Sequence, residues 1–272
     1  MNLRSNAHCH TTFCDGRNTP EEMILAALAR DFVSLGFSIH GWTPYEPTPV
    51  SMEKEAEYRA ELLRLREKYR GQIEILIGAE RDYLYERDFS DYEYLIDSAH
   101  CLLRDGEYLY VDGPDARTAD NIRRFFGGDY YAYCRAYFRQ EAELCARSDA
   151  AFIGHIDLVS IFNEGGKHFD ETDPRYLKPA LEAVEIAVRR GIPIEMNSGG
   201  INRGYRTRPY PGPALLKHIR ALGGEIIINS DAHRAAHLDG GFDICVQTAR
   251  AAGFDHALRM RSSGFEEVPL TD

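Results

Sequence analysis

Eight side chains of the metal-binding type, His8, His10, His40, Glu80, His100, His155, Asp231 and His233, constrain this chain more than any other feature. Nearly every one closes a segment that reads as a strand. In NAHCHT, FSIHGW, IGAERD, DSAHCL, IGHIDL and NSDAH an apolar or β-favouring run stops at an imidazole or a carboxylate. Side chains at the ends of successive parallel strands converge on one barrel mouth. So many imidazoles and carboxylates exceed the tetrahedral shell of one ion, which implies a cluster of two or three metals and metal-assisted hydrolysis.

Strand and helix signals alternate along the chain without a composition break. Strand candidates are 3–8, 33–40, 73–80, 94–100, 151–155, 192–197 and 225–231. Thr19-Pro20-Glu21-Glu22 supplies an N-cap, a proline for the first helical position and a capping acid, and Asp173-Pro174 repeats the cap and proline. Residues 52–69 form a charged amphipathic stretch, with Tyr58, Leu62, Leu65 and Tyr69 at helical spacing. The pattern also predicts a short β excursion over 106–112, a long helix over 129–147 and a Gly-, Arg- and Pro-rich loop over 199–213. No internal repeat or linker intervenes, so 1–272 reads as one domain. Strand order is not written in a sequence, which leaves a barrel or a doubly wound open sheet. Both place the ligand site at the carboxyl ends of the strands.

At 272 residues, 44% of them hydrophobic and 28% charged, the chain has ordinary globular composition. MNLRSNAHCH carries no apolar leader and no later run approaches a membrane span, so the expected location is cytoplasmic, with no membrane partner. A formal charge of −11 and the lack of a basic stripe argue against nucleic acid as a partner. Oligomeric state is left open. The cysteines Cys9, Cys14, Cys101, Cys134, Cys145 and Cys245 form no C-x-x-C pair and are expected to be reduced. Strand alternation turns Cys9 and Cys101 away from the neighbouring histidines, which leaves Cys14 as the thiol to consider as a ligand or reactive group.

His8 and His10, two apart on a strand, can chelate one ion. Glu80 has two oxygens with which to bridge two ions, and Asp231 with His233 repeats the pair. A lone histidine is about as often a satisfied core or surface side chain as a ligand, but so many ligand types at strand ends would require a run of coincidences. His168, His218, His237 and His256 lie in loops or helices and read as surface residues. Among these His237, just past NSDAH, borders the expected site and can touch substrate.

The set HCHTTFCDG, GFSIHGWTP, GAERDY, DSAHC, GHIDL and NSDAH resembles the polymerase and histidinol phosphatase (PHP) superfamily. GGDYYAYCRAYF, IGHIDLVSIFNEGGKHFDETDPRY and EMNSGGINRGYRTRPYP make it similar to the histidinol-phosphate phosphatase branch. The resemblance covers essentially the whole chain. It implies an α/β fold, a distorted (β/α)7 barrel with the metal site at the C-terminal ends of the strands, and three divalent ions, zinc, iron or manganese. On that pattern His8, His10, Glu80 and Asp231 hold one ion. Glu80 bridges to a second on His100 and His155, and Asp15, His40 and His233 hold the third. Two positions depart from the family's pattern near the third site. Ile39 stands where many relatives have Asp, and Cys14 where Ser is common.

The implied activity is hydrolysis of L-histidinol phosphate, a small phosphomonoester, to L-histidinol and phosphate in histidine biosynthesis, by attack of a metal-bridging hydroxide. Three divalent cations against Glu80, Asp231, Asp15 and one hydroxide leave two positive charges to receive a phosphate dianion. Asp231, His233 and Arg203 are the expected catalytic residues. Arg206 and Arg208 share the loop of Arg203, and one of the three arginines should hold the phosphoryl group through its fork; Arg203 best matches the family's loop arginine. Asp112 and Glu164 can meet a cationic amine or imidazole, and His237 completes the candidate substrate contacts. The alternatives are a PHP phosphoesterase acting on another small phosphomonoester, phosphotyrosine or nucleotide ends, and a non-catalytic metal-binding domain.

Overall fold

The computed structural model describes residues 3–45 and 50–270. Its main sheet has nine strands: β1 (Ser5–Asn6), β2 (Ser34–His40), β3 (Glu74–Asp82), β4 (Tyr94–Ser98), β7 (Phe152–Ile153), β8 (Ile194–Asn197), β9 (Ile226–Asn229), β10 (His256–Arg261) and β11 (Gly264–Pro269). They pair in that order. The first seven are mutually parallel. Spatial order follows chain order with no reversal, which excludes a doubly wound sheet. The sheet curls until its two ends meet: Cys9 bridges Ala232 in parallel, and the His10 N–H donates to the Ala232 carbonyl at 2.9 Å. All seven strands expected from the sequence are present.

The separate hairpin of β5 (Cys101–Arg104) and β6 (Glu107–Tyr110) accounts for the short β excursion. The β10–β11 hairpin was not expected. It adds β10 beside β9 through Leu258 and Ile227, and the Ser34 hydroxyl donates to the Met260 carbonyl on its far side.

Helices cover the outside: α1 (Pro20–Leu28), α2 (Met52–Lys68), α3 (Asp115–Phe126), α4 (Tyr130–Arg147), α5 (Pro174–Arg189), the single turn α6 (Gly199–Asn202), α7 (Pro213–Ala221) and α8 (Phe242–Ala251). Thr19 and Glu22 form the anticipated reciprocal cap on α1, and Asp173 caps α5 before Pro174. Among the described residues no helix is long and apolar enough to cross a membrane.

Two apolar layers flank the sheet. Leu35, Phe37 and Ile39 of β2 face outward with Cys9 and join Met23 of α1 and Leu62 and Leu65 of α2 in the larger cluster. Each such side chain, fully buried, contributes about 1.5–3 kcal/mol. Inside the barrel, Ala7, Leu76, Tyr94, Ile96, Phe152, Ile227 and Met260 form a smaller plug. Tyr94 fits there because its neighbours have no side chains. A Cβ on Gly36 would lie 2.5 Å from the Tyr94 hydroxyl, and one on Gly78 2.3 Å from its ring. The hydroxyl donates to the Ala7 carbonyl at 2.8 Å. The plug closes the lower barrel and leaves the upper end to polar residues. All six cysteines are buried and none forms a disulfide with another described residue.

Candidate metal centre

The residues expected at the strand ends converge. His8 and His10 follow β1, His40 closes β2, Glu80 lies near the end of β3, and His100, His155, Asp231 and His233 follow β4, β7 and β9. His8 Nε2 lies 3.3 Å from Glu80 Oε2 and 3.6 Å from Asp231 Oδ1. His10 Nε2 lies 3.5 Å and 3.2 Å from the same two oxygens. Two ligands held about 2.1 Å from one ion at tetrahedral angles lie about 3.4 Å apart, so these separations match the edges of a metal shell better than a set of hydrogen bonds. His8 Nε2, His10 Nε2 and Glu80 Oε2 are also buried without a hydrogen-bond partner. Interiors leave few such atoms, and one cation satisfies all three. The cluster suits metal binding.

Glu80 joins this group to a second one. Its other oxygen, Oε1, lies 3.0 Å from His155 Nε2 and 3.1 Å from His100 Nε2. A third group surrounds Asp15, whose Oδ2 meets His233 Nε2 at 3.0 Å and whose Oδ1 lies 3.5 Å from His40 Nε2. The His10 ring stacks between those of His40 and His233, 4.3 Å from each. Four sets of these side chains place possible ligand atoms within one ion's reach. His40 also turns Nδ1 to Glu80 Oε2 at 3.1 Å, which ties the third group to the first.

Electrostatics follow from this crowding. Burial opposes ionisation of Glu80, but His100, His8 and His40 outweigh it and hold the carboxyl well below its usual range. Asp231 behaves likewise beside Arg203 and His8. Burial also disfavours protonated His8, yet Glu195, Glu80 and Asp231 raise it well above its ordinary value. His10 goes the other way, lowered to about 3 by burial and by His40 and His233. The chain therefore presents anionic oxygens and at least one neutral imidazole, the forms a cation binds.

Two carboxylates that sequence reasoning missed stand behind the cluster. Glu195 in β8 meets His8 Nδ1 at 2.7 Å, and Asp82 in β3 meets His100 Nδ1 at 3.2 Å. Both stay ionised, because their histidine partners overcome the cost of burial. Asp82 lies two residues after Glu80 on one strand, so the period that pairs His8 with His10 also marks Asp82. Glu195, an acid inside an otherwise apolar run, carried a similar signal. Together they add two negative charges, as many as the positive surplus that the sequence reading expects for three divalent ions. The remaining cation beside the cluster is Arg203.

The expected substrate residues separate into two groups. Arg203 and Asp112 line the cleft over the cluster, together with Asp15, His40, Glu80, His100, His155, Leu158, Asp231 and His233. The cleft encloses about 30 Å³, room for a few ions or waters but not for an amino-alcohol phosphate. Asp112 lies at the mouth and is exposed. Arg206, Arg208, Glu164 and His237 do not line the cleft, contrary to expectation. Arg206 is buried, donates to the Ser160 carbonyl and meets Glu171 at 3.2 Å. Arg208 pairs with the same carboxylate at 2.6 Å, and Glu164 holds Thr207 and Arg206. Paired acids from the 164–171 segment draw these residues away from the cleft and pin the loop that carries Arg203. His237 ends a short 3-10 turn beside Arg234 and His233, which lower its pKa together with burial. Cys14 lies beside the centre, its Sγ 3.5 Å from His10 Nδ1, and burial raises its pKa.

The PHP domain model matches residues 6–199. The chain belongs to the PHP family. Within that family it is 30% identical over 266 residues to a protein of Deinococcus radiodurans named "Probable histidinol-phosphatase", covering 91% of this chain and 93% of that one. It is 26% identical to the histidinol-phosphatase of Bacillus subtilis, over 88% of this chain and 97% of the relative. The crystal structure of a histidinol phosphate phosphatase of Lactococcus lactis, complexed with zinc, L-histidinol and phosphate, shares the PHP fold with a TM-score of 0.72 at 18% identity. It covers 97% of this chain and 99% of that one.

Proposed function

We propose that this chain is a metal-dependent phosphomonoesterase that hydrolyses L-histidinol phosphate to L-histidinol and phosphate. It works with three divalent ions on the groups centred on Glu80 and Asp15, in the cytoplasm. The observation that carries the reading is the meeting of His8 Nε2, His10 Nε2 and Glu80 Oε2, buried and unpartnered, beneath a cleft that holds an arginine. The named relatives supply the substrate.

His8, His10, Glu80 and Asp231 would hold one ion, His100 and His155 with Glu80 a second, and Asp15, His40 and His233 the third. When bound, such ions polarise phosphoryl oxygens and lower the pKa of water. Arg203 binds the phosphoryl group through its guanidinium fork. Asp231, kept anionic by Arg203, accepts a hydrogen bond from the attacking water and orients it toward phosphorus, and the water gives up its proton as it attacks. As the bond from phosphorus to the ester oxygen breaks, the proton passes to the leaving alkoxide, giving the free alcohol and phosphate. His233 is held upright, with Nδ1 3.0 Å from the Asp231 carbonyl and Nε2 at Asp15. Asp112, at the exposed rim, receives the cationic end of the substrate, and Leu158 supplies an apolar wall.

The test is phosphate release from L-histidinol phosphate beside phosphotyrosine, nucleoside monophosphates and simple sugar phosphates. The expected result is the largest kcat/KM for histidinol phosphate, with Asp112→Asn raising its KM. A higher kcat/KM for another phosphomonoester would replace the substrate and keep the chemistry. No turnover of any would overturn the reading.

A further inference from the structure

Beneath the histidine cluster one carboxylate closes the polar layer without touching the cleft. Glu195 has no exposed surface. Its Oε1 accepts from His8 Nδ1 at 2.7 Å and from Asn229 Nδ2 at 3.0 Å. Its Oε2 accepts from the His155 backbone N–H at 3.0 Å and from Asn197 Nδ2 at 2.9 Å. A carboxylate offers about four acceptor positions and no donor, so every position is taken. The donors come from the ends of four strands, β1, β7, β8 and β9. Asn229 extends the layer, since its Oδ1 accepts from the Ala7 N–H at 2.8 Å.

We infer that Glu195 is a positioning residue of the metal centre: it holds the proton of His8 on Nδ1, leaves Nε2 bare toward Glu80 and Asp231, and sets the backbone from which His155 reaches Glu80. The inference rests on reading the cluster as a metal centre. An ionised carboxylate can only accept, so Nδ1 of His8 carries a proton whether the ring is neutral or charged, and Nε2, the atom that a cation would take, is the one found buried without a partner. Groups that grip the far nitrogen of a metal-binding histidine orient the ring and strengthen it as a donor. Glu195 differs from Asp82 in reach, because one side chain serves ligands of two groups. Glutamine cannot replace it. Either orientation of an amide turns its NH2 toward two donors.

The test is a double-mutant cycle read by metal affinity. Metal-free wild type, Glu195→Gln, His8→Ala and the double variant compete with a chromophoric chelator for Zn2+, and circular dichroism follows the fold. Glu195→Gln is expected to weaken binding about 10–100-fold, and in the His8→Ala background to weaken it by a smaller factor, because only the part carried through the His155 backbone remains and coupled residues do not add. Unchanged Zn2+ affinity in Glu195→Gln, with only a lower Tm, would overturn the inference while leaving the metal centre intact. So would effects that multiply in full. A wild type that binds no Zn2+ would overturn the metal reading and the inference with it. If Glu195→Gln does not fold, Glu195→Asp, which keeps the charge and withdraws it by one methylene, passes through the same cycle under the same criteria.

Discussion

Arg203 Nη2 lies 2.5 Å from Asp231 Oδ2, while the other oxygen of the same carboxylate, Oδ1, faces His8, His10 and His233. One side chain thus serves the cluster with one atom and the arginine with the other. Gly199 makes room for the pair, since a Cβ there would lie 2.7 Å from Asp231 Oδ2 and 3.1 Å from Arg203 Nη2. Asp231 itself adopts a left-handed backbone, φ 49, a conformation that costs energy and that the surrounding contacts must hold. A phosphate entering the cleft meets an arginine already aimed at the cluster.

Arg203→Ala should therefore cost about 1.5–3 kcal/mol in transition-state binding, the range for a hydrogen bond to a charged group, since the Arg203 side chain is still 34% exposed. Metal content should stay near wild type, because Asp231 Oδ1 is the atom turned to the histidines. Arg203→Lys should recover only part of kcat/KM, since an ammonium lacks the fork. Steady-state kinetics with metal analysis on the same samples checks both. Unchanged kcat/KM in Arg203→Ala would remove the arginine from the reaction.

The neighbouring arginine should behave differently. Arg206 is buried against Glu171 and the Ser160 carbonyl, so Arg206→Met leaves Glu171 with the Arg208 guanidinium and the Asn163 amide. Breaking a buried pair costs about 3–5 kcal/mol of stability. Guanidinium denaturation should show that loss, with kcat/KM of the folded fraction close to wild type. Full stability with abolished activity would return Arg206 to the cleft.

These two arginines show where sequence reasoning stops. Seven strands and the whole histidine set were legible because each strand ends in a side chain of unusual chemistry. The chemistry of GGINRGYRTRP does not distinguish one arginine from the next, and only the family resemblance favoured Arg203; what draws Arg206 and Arg208 away is Glu171, on a different segment, and it emerges only in the folded chain. The β10–β11 hairpin was hidden for another reason. GFEEVP places Glu266 and Glu267 on opposite faces, because β11 is largely exposed, so no alternation marks it; β10 does alternate, Leu258 and Met260 against Arg259 and Arg261, but the run is short and was passed over. Glu195 and Asp82 were readable by strand period but were passed over beside the more conspicuous histidines.

Glu141 provides a test by pH. It lies wholly buried in α4, and burial raises its carboxyl well above the usual range despite Tyr137 and His100. A folded-state pKa above the unfolded one means that stability is full below about pH 4.5 and falls as pH rises toward the folded value. Between those limits wild type should lose about 1.4 kcal/mol per pH unit through this residue, and Glu141→Gln should not. Denaturation of both proteins at a series of pH values from about 4.5 upward should thus show the variant gaining on wild type as pH rises toward the folded pKa. A constant difference would mean that Glu141 is ionised in the fold.

The most direct measurement is a metal titration of activity. Protein stripped by a chelator is reconstituted with Zn2+, Mn2+ or Fe2+, and phosphate release from L-histidinol phosphate is followed at each ratio of metal to protein. The predicted result is no turnover in the stripped protein, recovery with occupancy and a plateau at three ions per chain. Full activity in metal-free protein would contradict the account.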